Sequence, residues 1–251
     1  MSIPALILLV AQWQHERPFA AQIHEAEALR LAGQSARAEA ILRDAVKSGE
    51  GAIGEQGTVA NNLASLLARR GRHTEAQKLW LRAIALWTEA DGSATPRAAR
   101  AMNNLAASYM ERKRFAEAEA LYRDVLATKE LPETLNNLAV LYQKLGRFGE
   151  AESFFRRAIA RFGDTRGAMQ PWGNLAILLE QRGRIDESLA AYEEVLRLLP
   201  KLKPADEPVA ARYLARHEEL LRQRREPAEA ERVALVAMRF RVREARRSQS
   251  R

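Results

Sequence analysis

Along most of the chain the apolar positions recur at intervals of three and four residues, the spacing of one face of a helix. Short breaks rich in Gly, Asp or Pro separate these runs. The clearest run starts at Leu63. Leu67 follows at four residues and Gly71 at eight; Ala76, Trp80 and Ala83 come at thirteen, seventeen and twenty. Leu105, Tyr109, Lys113, Ala118, Tyr122 and Val125 fill the same columns. So do Leu138, Tyr142, Gly146, Ala151, Phe155 and Ala158, and then Leu175, Leu179, Gly183, Ser188, Tyr192 and Val195. Each copy opens alike: Asn61-Asn62-Leu63-Ala64, Asn103-Asn104-Leu105-Ala106, Asn136-Asn137-Leu138-Ala139 and Gly173-Asn174-Leu175-Ala176. The pattern predicts two helices per unit. Gly71, Gly146 and Gly183 sit where the first should stop, because glycine takes the left-handed conformation without a steric penalty. A unit of this kind cannot bury its apolar face alone and must stack on its neighbours.

A weaker copy precedes these, with Ala26, Leu29, Gly33, Ala38, Leu42 and Ala45 in register and Glu25 in place of the first Leu. After Pro200 the pattern fades. Pro208 to Arg225 still reads as an amphipathic helix through Tyr213, Leu214, His217, Leu220 and Leu221. Pro227 can open another, with Val233, Val236, Ala237 and Phe240 on one stripe.

Leu-Ala-x-x-Tyr, a Gly break and Ala-x-x-x-Tyr/Phe resemble the tetratricopeptide repeat (TPR). The Asn-Asn-Leu-Ala start, with Ala118 to Tyr122, is most similar to its kinesin-light-chain-like subclass. Successive copies are spaced by 42, 33 and 37 residues, near the repeat length of about 34. The resemblance implies an all-α fold, a right-handed α-solenoid of about five TPR helix–turn–helix pairs with a C-terminal capping helix pair. The expected organisation is an apolar N-terminal segment over 1–21, the solenoid over 22–200, capping helices over 201–247 and a basic tail over 248–251.

Composition sharpens this picture. The 46 alanines and 6% aromatics suit closely crossing helices better than a sheet. The absence of cysteine removes disulfides, thiolate metal sites and cysteine nucleophiles. The net charge of +8 is unevenly placed: residues 201–251 hold 14 Lys and Arg against 8 Asp and Glu, so the body is nearly neutral. Ile3 to Ala11 is an apolar run of nine residues, too short to span a bilayer. It has the length of a signal-peptide core but no preceding Lys or Arg, and it equally suits a short helix over the first repeat. Export and a cytoplasmic location both stay open.

No catalytic constellation is visible. Gly49-x-Gly51-x-x-Gly54 lies between two predicted helices, without the preceding strand that a dinucleotide loop needs. His15, His24, His73 and His217 fall in different units. The reading is therefore a non-enzymatic scaffold or adaptor with no cofactor and no metal. In the resembling family the first helices of successive repeats line a groove, and the residue before the repeat's Leu faces it. That column here is Asn62, Asn104, Asn137 and Asn174, whose amides can each donate to and accept from an extended peptide backbone. Arg69, Arg100 and Lys144 extend the predicted peptide groove. The expected partner is an extended segment of another protein, of unknown identity, and oligomeric state is left open. An alternative rests on Arg239, Arg241, Arg243, Arg246 and Arg247, a basic patch suited to nucleic acid or an anionic surface. Nucleic acid is disfavoured because Phe240 is the only aromatic there.

Overall fold

The computed structural model describes residues 19–92, 95–203 and 206–249, with side chains followed as far as residue 240. Residues 1–18 of the expected N-terminal segment and the end of the basic tail lie outside them. Twelve α-helices and no strand occur among the described residues: α1 (Phe19–Leu31), α2 (Ser35–Ser48), α3 (Ile53–Arg69), α4 (His73–Asp91), α5 (Pro96–Glu111), α6 (Phe115–Thr128), α7 (Pro132–Lys144), α8 (Phe148–Phe162), α9 (Met169–Gln181), α10 (Ile185–Leu198), α11 (Glu207–Gln223) and α12 (Pro227–Gln249). They form the all-α helix-pair architecture expected of the repeats. The chain divides after Lys129 into two compact units, α1–α6 and α7–α12, each a stack of three pairs. The expected boundary after residue 21 falls inside the first turn of α1.

In the first unit the repeat columns are the core. Leu63, Leu67, Trp80 and Leu105 are buried, and Ala38, Ala64, Ala76, Ala83 and Ala106 are fully so. The small side chains let paired helices approach closely. One close approach is at Gly57, where an added Cβ would lie 2.8 Å from the Trp87 indole nitrogen. That indole N–H donates to the Gly54 carbonyl at 2.9 Å. The Gly49 to Gly54 run is thus a stitched link between α2 and α3. Gln56 Nε2 donates to the carbonyls of Gly49 and Gly51, and an added Cβ on Gly51 would collide with the Phe19 ring. No strand precedes it, so the phosphate-loop reading does not apply.

In the second unit Leu138, Tyr142, Phe155, Leu175, Tyr192 and Val195 take the same columns and are buried. Ser188 stands in the Ala column and is fully buried; its hydroxyl donates to the Ala176 carbonyl at 2.8 Å, so no polar group is orphaned. The pattern also continues past Pro200. His217 occupies the Leu column, Leu221 follows it, and Ala230 and Ala237 fill the second-helix columns, all buried.

All six first helices end in the same two-bond turn. In the second pair the Gly71 N–H bonds the Ala68 carbonyl and the Arg72 N–H bonds the Leu67 carbonyl, each at 2.9 Å. The turning residue is left-handed in every pair: Gly33, Gly71, Gly146 and Gly183 at φ 70 to 77°, and Lys113 and Arg225 at 59 and 60°. The next residue is Arg in the four clear repeats. Arg72, Arg114, Arg147 and Arg184 each reach the glutamate three residues on, Glu75, Glu117, Glu150 and Glu187, at 2.5 to 2.8 Å. None of these second helices has a side-chain N-cap. The glutamate near the positive helix end, held by Arg, does that work instead.

Candidate peptide-binding face

The asparagine column lies on the first helices, which are set in place by the buried Leu and Ala directly after each Asn. In the first unit Asn62 on α3 is half-buried and Asn104 on α5 is exposed; in the second, Asn137 on α7 and Asn174 on α9 are half-buried. The preceding Asn of each pair turns inward, and Asn103 and Asn136 are buried. Asn61 donates to Asn62 Oδ1, and Asn136 to Asn137 Oδ1, each at 3.4 Å. These contacts hold the outer amides with their oxygens turned toward the inner partner. Among the described residues the Nδ2 groups of Asn62 and Asn137 donate to nothing.

Asn174 differs. Its Nδ2 donates to Asn136 Oδ1 at 3.1 Å, and its oxygen accepts the Tyr213 hydroxyl at 2.8 Å. Tyr213, Asn174, Asn136 and Asn137 therefore form one directed chain across α11, α9 and α7, in which each group passes its donor to the next. Such chains polarise their members cooperatively, and this one ends on the Nδ2 of Asn137. Gly173 replaces the inner Asn because the Tyr213 ring fills its place, 2.5 Å from where a Cβ would sit. Asn174 thus stitches three helices and reaches the face through Asn137. The sequence places Tyr213 on the apolar stripe of α11 but not at this site, since it lies outside the recurring columns and its partner is 39 residues away.

In the first unit Asn62, Ser65 and Arg69 line a cleft of about 250 Å³ with Glu27 and Arg30 of α1 over a floor of Ala26, Ala38, Leu42 and Leu66. Cofactor and drug pockets run to about 300–1,000 Å³, so this cleft is smaller than those. Arg30 Nε donates to Glu27 at 2.7 Å. That bond, with Arg69 nearby, holds the Glu27 carboxyl below its ordinary range against the opposing effect of burial. Arg100 on α5 and Lys144 on α7 are exposed. Arg239 is exposed on α12, and Arg241, Arg243, Arg246 and Arg247 lie along the last turns of that helix, with side chains outside the described residues.

The acidic residues behind the face are structural. Glu39 is buried on α2 and accepts from Arg43 and Arg72 at 2.9 and 2.8 Å, and from Arg70. Burial pushes its carboxyl up, and the three guanidiniums outweigh that and hold it below the usual value. Glu152 repeats the arrangement in the second unit with Arg156 and Arg184, at 2.9 and 2.6 Å. His217 is buried against the Tyr192 ring, their centroids 5.3 Å apart, and neither ring nitrogen has a hydrogen-bond partner. Burial, and then Arg232, pushes its pKa down to about 4. Among the described residues no group of three His, Asp or Glu could hold a metal ion.

Known proteins give the same picture of the fold. Tetratricopeptide repeat models match residues 55–131 and 130–201, and another matches 20–44. No curated protein sequence matches the chain. Among solved structures, BtubC (BKLC) of P. vanneervenii is 19% identical with a TM-score of 0.66, covering 92% of this chain and 93% of that one. A putative kinesin light chain with TPR-like repeats from Podosopora anserina is 20% identical at 0.58, covering 72% and 96%. Pseudomonas aeruginosa PilF is 17% identical at 0.64, covering 88% and 91%.

Proposed function

The chain belongs to the tetratricopeptide repeat family, and from that premise we propose that it is a non-enzymatic scaffold holding an extended peptide segment of a partner protein against its first-helix faces. Proteins of this fold mediate protein–protein interactions. The observation that carries the finer reading is the column of amides with uncommitted donors. Asn62 and Asn137 are oriented by their inner neighbours, keep Nδ2 uncommitted among the described residues, and sit half-buried where water competes less for a peptide carbonyl. Backbone recognition of this kind sets orientation without demanding a side-chain sequence, and the cleft beside Asn62 adds a preference for one small or medium side chain. Asn104, Arg69, Arg100 and Lys144 form the more exposed margin. Each unit carries its own binding face in this proposal.

Peptide-display selection on the immobilised full chain tests this reading. Selected peptides should bind the parent and lose at least about tenfold in affinity to an Asn62→Ala/Asn137→Ala variant, the loss of one or two hydrogen bonds. Peptides that bind parent and variant equally, with unchanged thermal melts, would count against the asparagine face. Failure to enrich any peptide would count against the groove.

A further inference from the structure

The last helix leaves one face bare. Ala230, Val233 and Ala237 of α12 are buried with Leu214 and Leu221 of α11, and Val236 and Phe240 pack on the same cluster. On the opposite side Leu235 and Met238 are each 58% exposed, one helical turn apart. In the sequence Val242 and Ala245 follow Met238 at four and seven residues, continuing that apolar period along the helix. Arg239 is exposed beside it. From residue 239 to the last residue the chain has six arginines and one acidic residue, Glu244. Arg232, further back, is engaged by Glu193 and Glu229 at 2.8 and 2.6 Å, which leaves the later arginines as the excess charge.

We propose that this face of α12 is a peripheral docking surface for an anionic lipid bilayer. Its apolar stripe enters the boundary between headgroups and acyl chains while the arginines stay at phosphate level. The exposed Leu and Met decide the occupant. Nucleic acid would neutralise the arginines but leave Leu235 and Met238 in water. A second copy would cover Leu235 and Met238 but carries the same net charge of +8, so it is not the anionic surface that this excess of arginine calls for. No helix among the described residues is long and apolar enough to cross a membrane, so the contact is surface attachment. A few arginines and two apolar side chains give weak, reversible binding that salt screens.

The experiment is co-sedimentation of the full chain with phosphatidylcholine vesicles, with and without one-third phosphatidylglycerol. The expected result is pelleting with the anionic vesicles alone, falling steeply between about 0.05 and about 0.5 M salt. A Leu235→Ser/Met238→Ser variant should bind at least about tenfold more weakly. Both residues are exposed, so its melt should match the parent's. Absence of pelleting with anionic vesicles would overturn the proposal. So would equal pelleting of parent and variant; if duplex DNA then bound both chains equally, charge alone would be identified as the cause.

Discussion

His217 stands in a slot built for leucine, and that makes a sharp prediction about acid. The same column holds Leu63, Leu105, Leu138 and Leu175, all buried. His217 is 1% exposed, stacks on Tyr192, and faces Glu193 only at 3.6 Å, beyond hydrogen-bond reach. Its folded pKa is pushed down to about 4 from an ordinary 6.5. The unfolded chain therefore binds a proton that the folded chain refuses, and stability falls as pH drops from about 6.5 toward 4. Between pH 7 and 5 this one group should remove about 2 kcal/mol. With a urea slope of about 2 kcal/mol/M, the midpoint should fall by about 1 M. Carboxylate contributions are common to the parent and a His217 variant, so the difference between the two chains isolates the imidazole. Replacing His217→Leu restores the repeat's own residue and removes two unpartnered nitrogens. It should raise stability at pH 7 by about 1 kcal/mol and abolish most of the acid loss. Urea unfolding followed by circular dichroism at both pH values measures it. A Leu variant that loses as much as the parent between pH 7 and 5 would refute the reasoning.

Three further outcomes follow from the same geometry. Lys113 is left-handed where four other pairs use glycine, so Lys113→Gly should stabilise by about 0.5–1 kcal/mol, while Gly146→Ala, whose added Cβ meets open space, should cost about 1 kcal/mol from backbone strain alone; thermal melts read both. Tyr213→Phe removes the first donor of the amide chain and should cost about 1 kcal/mol, and a double-mutant cycle with Asn174→Ala should show coupling above about 0.5 kcal/mol; additive effects would break the chain as drawn. Glu39→Gln removes the charge that gathers Arg43, Arg70 and Arg72 and should cost about 1–2 kcal/mol near neutral pH. Because the Glu39 pKa is lowered, that stability is present above its unfolded value and lost as pH falls through its folded one. Parent and variant unfolding midpoints should therefore converge as acid protonates Glu39 in the folded chain.

The helices were legible because the repeat states each requirement four times. Leu63 or Ala76 alone is one apolar residue; the same spacing in four copies fixes two helices, their buried faces and their turn. Past Pro200 the same turn forms with Arg225, and the same columns are filled by His217, Ala230 and Ala237. The pattern faded there because two of its most recognisable letters, Leu and Gly, are replaced by residues that the surrounding backbone forces into their geometry. Pair packing supplies the helical register and tolerates about 1–2 kcal/mol of left-handed strain at one residue.

The candidate face was only partly legible, for a different reason. Column arithmetic marks Asn62, Asn104, Asn137 and Asn174 as equivalent, since it counts residues along one helix. Their hydrogen bonds are set by residues on other helices. Asn174 is claimed by Asn136 and by Tyr213, 38 and 39 residues away, and Gly173 exists because the Tyr213 ring needs its space. A repeat with an Asn at that position can thus either offer its amide to a ligand or spend it on the next repeat, and the choice lies in the following first helix. Where that helix brings a Tyr one turn ahead of the Leu column, as α11 does, the amide is consumed. Ala101 on α5 and Pro171 on α9 occupy the corresponding place in the repeats that follow Asn62 and Asn137, and neither carries a side-chain hydrogen-bonding group. The donors of the proposed face should therefore concentrate on Asn62 and Asn137, with Asn174 acting through Asn137.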